Sequence, residues 1–167
     1  ARFTITAAST KTGKTASHII WLFEQALKCK DNQSVWWVAP VYQQAEIAFR
    51  RMKSQVTDKN FFISNETKLL LTLPTGARIE FKSGEKPDNL YGDDVYAAVI
   101  DEASRMREES WYAMRSTLTA TQGKCKLIGN VKGKKNWFYK LGERARSGEN
   151  EYKSVSYTHL RAHETEA

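Results

Sequence analysis

An α/β fold, with a mostly parallel sheet flanked by helices and a small inserted β-meander, is what three features of the sequence predict. Short apolar runs alternate with longer runs of helical periodicity, turn residues crowd one central stretch, and two of the apolar runs lead directly into polar loops of unusual composition. The 167 residues suit one domain, and 41% hydrophobic with 27% charged residues excludes a disordered, collagen-like or coiled-coil chain. No apolar run approaches the roughly 18 to 20 residues that cross a bilayer, and the N-terminus lacks the order of a signal peptide, so no membrane association is expected. Cys29 and Cys125 are the only cysteines and lie far apart, which predicts two free thiols in a reducing compartment and neither a disulfide framework nor a zinc knuckle.

Each element has its own local reason. Phe3–Ala7 alternates β-branched and small residues as a buried strand does, and Lys14 to Lys28 carries helical periodicity after an intervening loop. Ser34 to Ala39 is a second buried strand, stopped by Pro40, and Tyr42 to Gln55 follows as a helix with Ala45, Ala48, Phe49 and Met52 on its apolar face. Phe61 to Ser64, Leu69 to Leu73 and Arg78 to Phe81 are short strands divided by turn residues, among them Pro74, Thr75 and Gly76; these make the meander. Val95 to Ile100 is a continuous apolar strand. Glu108 to Leu118 is helical, Cys125 to Ile128 a strand, Trp137 to Arg146 helical, and Tyr152 to Tyr157 a last strand.

The loop between the first strand and first helix reads Ala8, Ser9, Thr10, Lys11, Thr12, Gly13, Lys14, Thr15. It fits the phosphate-loop pattern G-x-x-x-x-G-K-[ST], with Ala8 in place of the first glycine. Such a loop turns several backbone N–H groups onto nucleotide phosphates, where the helix terminus also favours anions. Gly13 permits close approach, Lys14 can reach the β- and γ-phosphates, and the Thr15 hydroxyl can complete a Mg2+ shell. A helix N-terminus without a ligand is the bland alternative.

The strand Val95 to Ile100 ends in Asp101 and Glu102. A carboxylate there sits at the sheet edge onto which phosphate loops open, so Asp101 is a candidate to hold Mg2+ through water. Glu102, pointing elsewhere along the pleat, is the candidate general base that polarises the water attacking ATP. Lys14 and Glu102 are therefore the expected catalytic pair, and a P-loop NTPase fold of the RecA/ASCE-like type is expected.

Charge is uneven. The chain carries 26 Lys and Arg against 19 Asp and Glu, net +7, and the stretch from Lys124 to Arg146 holds eight of those cations against Glu143 alone. The remainder is balanced. Lying beside Trp137, Phe138 and Tyr139, this stretch could track a nucleic-acid backbone, with Lys132, Lys134 and Lys135 as candidate DNA contacts; a solvated basic helix face is the competing reading.

Taken together, the phosphate loop, Val38-Ala39-Pro40 with Tyr42, Gln43 and Gln44, Leu90-Tyr91-Gly92 ahead of Val99-Ile100-Asp101-Glu102-Ala103, and Ile128-Gly129-Asn130 resemble the N-terminal ATPase domain of the tailed-phage terminase large subunit. The resemblance covers about residues 3 to 157. It implies an ATP-hydrolysing motor that drives double-stranded DNA into proheads, with ATP and Mg2+ as cofactors, and it gives Gly129 and Asn130 the role of coupling hydrolysis to movement. Its implied partners are double-stranded DNA, a portal protein, a small terminase subunit and further copies in a homo-oligomeric ring, and its setting is the host cytoplasm. Thr10 stands where many relatives carry a phosphate-loop arginine. Residues 1–157 are expected to be an ATPase domain truncated at both ends, without the family's nuclease domain, and 158–167 a non-native or disordered tail. A helicase-like nucleic-acid-dependent ATPase fits much of the same loop and acidic pair, and an ATP-binding assembly module without turnover is a third reading. His18 is expected to be a packing or surface residue, and His159 and His163 part of the tail.

Overall fold

The expected alternation of strand and helix is realised almost element for element in the computed structural model, which describes residues 2–7, 14–130, 136–149 and 151–156, with Ser156 by its backbone alone. In chain order these are β1 (Phe3–Ala7), α1 (Lys14–Lys28), β2 (Ser34–Ala39), α2 (Tyr42–Gln55), β3 (Ile63–Asn65), β4 (Leu70–Thr72), β5 (Arg78–Ser83), β6 (Val95–Ile100), α3 (Glu108–Thr119), β7 (Lys124–Gly129), α4 (Trp137–Arg146) and β8 (Tyr152–Ser156). Two short 3₁₀ turns, Pro87–Leu90 and Ala103–Arg105, flank β6. The tail from 157 to 167 lies outside the described residues.

Every residue of β2 is buried, so β2 must lie inside a sheet covered on both faces. One eight-stranded sheet results, in the order β3-β4-β5-β2-β6-β7-β1-β8. All pairings from β5 to β8 are parallel, and only the β3–β4 and β4–β5 pairs of the meander are antiparallel. The period of two along β2 divides the core. Val35, Trp37 and Ala39 face a cluster with Ile19 and Leu22 of α1 and Phe49 and Met52 of α2. Trp36 and Val38 face the opposite cluster, built from Trp111 and Met114 of α3 and Phe138 and Leu141 of α4.

The meander begins later than its aromatic residues suggest. Phe61 and Phe62 precede β3 and pack on Phe23 of α1, with ring centroids 5.8 Å away in each case. The hairpin register then starts at Ile63 opposite Thr72. β5 runs on to Ser83 because Lys82 and Ser83 stay paired with Val38 and Ala39 of β2. The turn between β4 and β5 is closed by the Gly76 N–H donating to Leu73 O at 2.9 Å, and Gly76 sits at φ +91°, where a side chain is strained.

Candidate functional site

β1, β7 and β6 are neighbours in the sheet, so the segments that leave their carboxyl ends converge on one edge. Six residues, Ala8 to Gly13, separate the end of β1 from the start of α1; they lie outside the described residues. Lys14 and Thr15 form the first turn of α1. Lys14 is only 8% exposed, and burial lowers its pKa while the negative charges of Asp101 and Glu102 pull it back up. Those two signs place the phosphate-loop lysine and the acidic pair in one electrostatic neighbourhood.

The acidic pair adopts a geometry that the pleat does not predict. β6 ends at Ile100, although the Asp101 N–H still donates to Val38 O of β2 at 2.8 Å. Glu102 then turns into the left-handed region at φ 47°, ψ 47°, so it does not continue the strand's alternation, which corrects the expected direction of its side chain. Its N–H donates to Asp101 Oδ1 at 3.0 Å, and its carboxylate meets the Arg105 guanidinium at 3.4 Å. Burial pushes the Asp101 carboxyl up to about 6, and the Glu102 charge adds to that rise; the Glu102 N–H, Lys14 and Arg51 oppose it.

A cavity of about 100 Å³ opens between these elements, lined by Thr15 of α1, Gln44, Ile47, Ala48 and Arg51 of α2, and Asp101 and Glu102. The structure therefore brings together Thr15, Asp101 and Glu102, which are distant in sequence. Gln44 and Arg51 join them unannounced. Their signal was available, because Gln44, Ala48 and Arg51 follow the i, i+4, i+7 rule and so form one stripe along α2, beside the apolar face. The oxygen donors Thr15 and Asp101 suit a hard divalent cation such as Mg2+, and a carboxyl whose ionised form is disfavoured by burial is one that a cation would return to the charged state.

Gly129 ends β7 opposite Ala7 of β1, with Asn130 following it at the same sheet edge. Packing requires the glycine: a Cβ there would come within 2.8 Å of the Phe138 ring. Of the basic stretch, Lys132, Lys134 and Lys135 lie outside the described residues. The remainder is not one solvated helix face, since it spans β7 and α4. Lys126 rests over the Trp21 ring at 4.7 Å, Arg144 pairs with Glu149 at 3.0 Å, and Arg146 pairs with Glu143. Of the three neighbouring aromatics, Trp137 and Phe138 offer no stacking platform, while Tyr139 is half-buried. Phe138 is fully buried, and Trp137 stacks near Trp111 while its Nε1–H donates to Met106 O at 2.7 Å.

His18 is buried and sits on α1 with Nδ1 2.6 Å from Lys14 O, a packing role as expected. Both cysteines are buried and unpaired with each other. No helix among the described residues is long and apolar enough to cross a membrane.

Comparison with known proteins bears on this geometry directly. The family model described as the terminase large subunit, ATPase domain, matches residues 2–137. A terminase large subunit of Thermus phage G20c is 32% identical over 127 residues, covering 64% of this chain and 26% of that protein, so the chain spans about a quarter of the length of the curated relatives it matches. The large terminase ATPase domain of Thermus phage P74-26 superposes with a TM-score of 0.80 at 22% identity, covering 93% of this chain and 75% of that one. The large terminase of a thermophilic bacteriophage, in complex with ATP-gamma-S, superposes with a TM-score of 0.78 at 12% identity, covering 96% of this chain and 40% of that one; both structures share the fold.

Proposed function

Because the chain belongs to the terminase large-subunit ATPase-domain family, we propose that it hydrolyses ATP with Mg2+ and that, within a larger assembly, this drives double-stranded DNA into proheads. The observation that carries the reading is the shared cavity of Thr15, Asp101 and Glu102 beside a buried Lys14. In this reading Ala8, Ser9, Thr10, Lys11, Thr12 and Gly13 cradle the phosphates with backbone N–H groups, and Lys14 meets the β- and γ-phosphates. Thr15 and Asp101 would hold Mg2+, which when bound neutralises phosphate charge. Glu102 takes a proton from water as the water oxygen bonds to the γ-phosphorus and the bond to the bridging oxygen breaks, releasing ADP and phosphate.

Gly129 ends, and Asn130 follows, the strand between the loop strand and the acidic strand, which suits a part that senses the γ-phosphate and passes the change on. Double-stranded DNA, a portal protein, a small terminase subunit and ring neighbours are the partners this function requires, and the host cytoplasm is its setting. The helicase-like alternative shares the loop and acidic pair, but the family match favours the packaging ATPase.

Glu102→Gln tests the mechanism, because it keeps size and hydrogen bonding while removing the base. Phosphate release is expected to fall about 10²- to 10⁴-fold with ATP still bound. A rate within twofold of the unmodified chain refutes Glu102 as the base.

A further inference from the structure

Gln44 Oε1 is buried and has no hydrogen-bond partner, yet its residue lines the cavity shared by Thr15, Asp101 and Glu102. A buried acceptor without a donor destabilises the fold, so an apolar residue of the same length would make a more stable chain. Packing does not explain it. Gln44 is in the first turn of α2, its N–H donating to Val41 O at 3.1 Å, so the helix start fixes where the side chain begins.

The surroundings specify what the oxygen can accept from. Asp101, Glu102 and Gln44 present acceptor oxygens; the Thr15 hydroxyl and the Gln44 amide N–H groups are the neutral donors among the polar lining groups, with the Arg51 guanidinium at the far end of the stripe. A volume of about 100 Å³ is too small for an organic ligand and admits up to about three waters at roughly 30 Å³ each. Water is the small molecule that donates twice. A water giving one hydrogen to the Glu102 carboxylate and the other to Gln44 Oε1 has both O–H directions fixed, which leaves a lone pair in one defined direction.

We propose that Gln44 is a positioning residue that orients the water Glu102 activates, through a hydrogen bond accepted by its otherwise unpartnered Oε1 in the cavity shared with Thr15 and Asp101. This rests on the ATPase reading above. Glu102 removes the first proton, and Gln44 holds the second, which stays on the oxygen as it bonds to phosphorus.

The test is Gln44→Met in the full chain, which keeps length and removes the acceptor. Turnover is expected to fall about 10- to 100-fold with the KM for ATP within twofold. The melting temperature is expected to stay level or rise, since the orphaned acceptor is gone. Added to Glu102→Gln, Gln44→Met is expected to slow the enzyme no further, because both act on one water. A binding arm reads the same contact without turnover: affinity for ADP with aluminium fluoride is expected to drop about tenfold while affinity for ADP alone is unchanged. Equal aluminium fluoride affinity in the two proteins, or an equal loss for ADP alone, overturns the assignment. So does a wild-type rate for Gln44→Met when Glu102→Gln is inactive, an outcome that leaves the ATPase reading standing. A wild-type rate for Glu102→Gln itself removes that reading and this inference together.

Discussion

His18 carries the clearest pH signature in the chain. It is 2% exposed, and burial pushes its pKa down from 6.5 to about 4, with the positive charges of Lys126 and Lys14 adding to the fall against the Lys14 backbone contact. In the unfolded chain the imidazole takes a proton near 6.5, whereas in the fold it resists until about 4. Between those values the unfolded state binds more protons, so stability is intact above about 6.5 and is lost as pH falls toward 4, by up to roughly 3 kcal/mol. Urea unfolding at pH 7, 5.5 and 4.5 is expected to show His18→Gln losing less stability with acid than the parent; identical slopes refute the assignment. At this scale the sequence reading reached Lys14, Thr15, Asp101 and Glu102 because each chemistry needs a fixed residue type at a fixed distance along the chain. For Gln44 and Arg51 the spacing along α2 shows only that they share a stripe; that the stripe lines one cavity with Asp101 and Glu102 is decided by the fold.

The short segment after β6 depends on elements that are remote in sequence. Asp101 is hydrogen-bonded to β2, Ser104 O accepts from Asn136 Nδ2 at 2.8 Å, and Met106 O accepts from Trp137, so the start of α4 clamps the turn that presents both carboxylates. Asn136 is also the N-cap of α4, its Oδ1 accepting from the N–H groups of Phe138 at 3.1 Å and Tyr139 at 3.3 Å. Losing a cap costs about 0.5 to 2 kcal/mol, and Asn136→Ala loses the Ser104 bond as well, so about 1 to 3 kcal/mol is expected by chemical denaturation. Asn136→Asp keeps the acceptor and loses only the donor, and is expected to cost less; equal losses would place the stabilisation outside the cap. Periodicity made the long elements legible, α1, β2, α2, β6 and α4 among them. It misjudged the meander's start, since Phe61 and Phe62 look like strand residues but gain more by packing on Phe23. Trp137 and Phe138 border lysines in sequence, yet α4 turns them into the core.

On the scale of the molecule, the sheet order explains why distant loops form one site, and it leaves the excess charge as the feature that a nucleotide does not account for. The net charge is +7, and the stretch from Lys124 to Arg146 equals that excess. Part of it is engaged within the chain: Arg144 and Arg146 pair with Glu149 and Glu143, and Lys126 lies over Trp21. Lys132, Lys134 and Lys135 come within five residues after Asn130 in the sequence. If they contact the DNA backbone, binding to duplex DNA should show little sequence preference and weaken steeply with salt, log K falling by about 0.9 per phosphate neutralised for each tenfold rise in salt. Replacing all three by Gln is then expected to flatten that slope by up to about three units while leaving ATP affinity unchanged, because it is Lys14 and not this cluster that is proposed to meet the phosphates of the nucleotide. The measurement is a fluorescence anisotropy titration of duplex DNA across a salt series, run in parallel on both proteins. An unaltered slope would assign the cluster to solvent and return the DNA-contacting surface to some other face of the assembly.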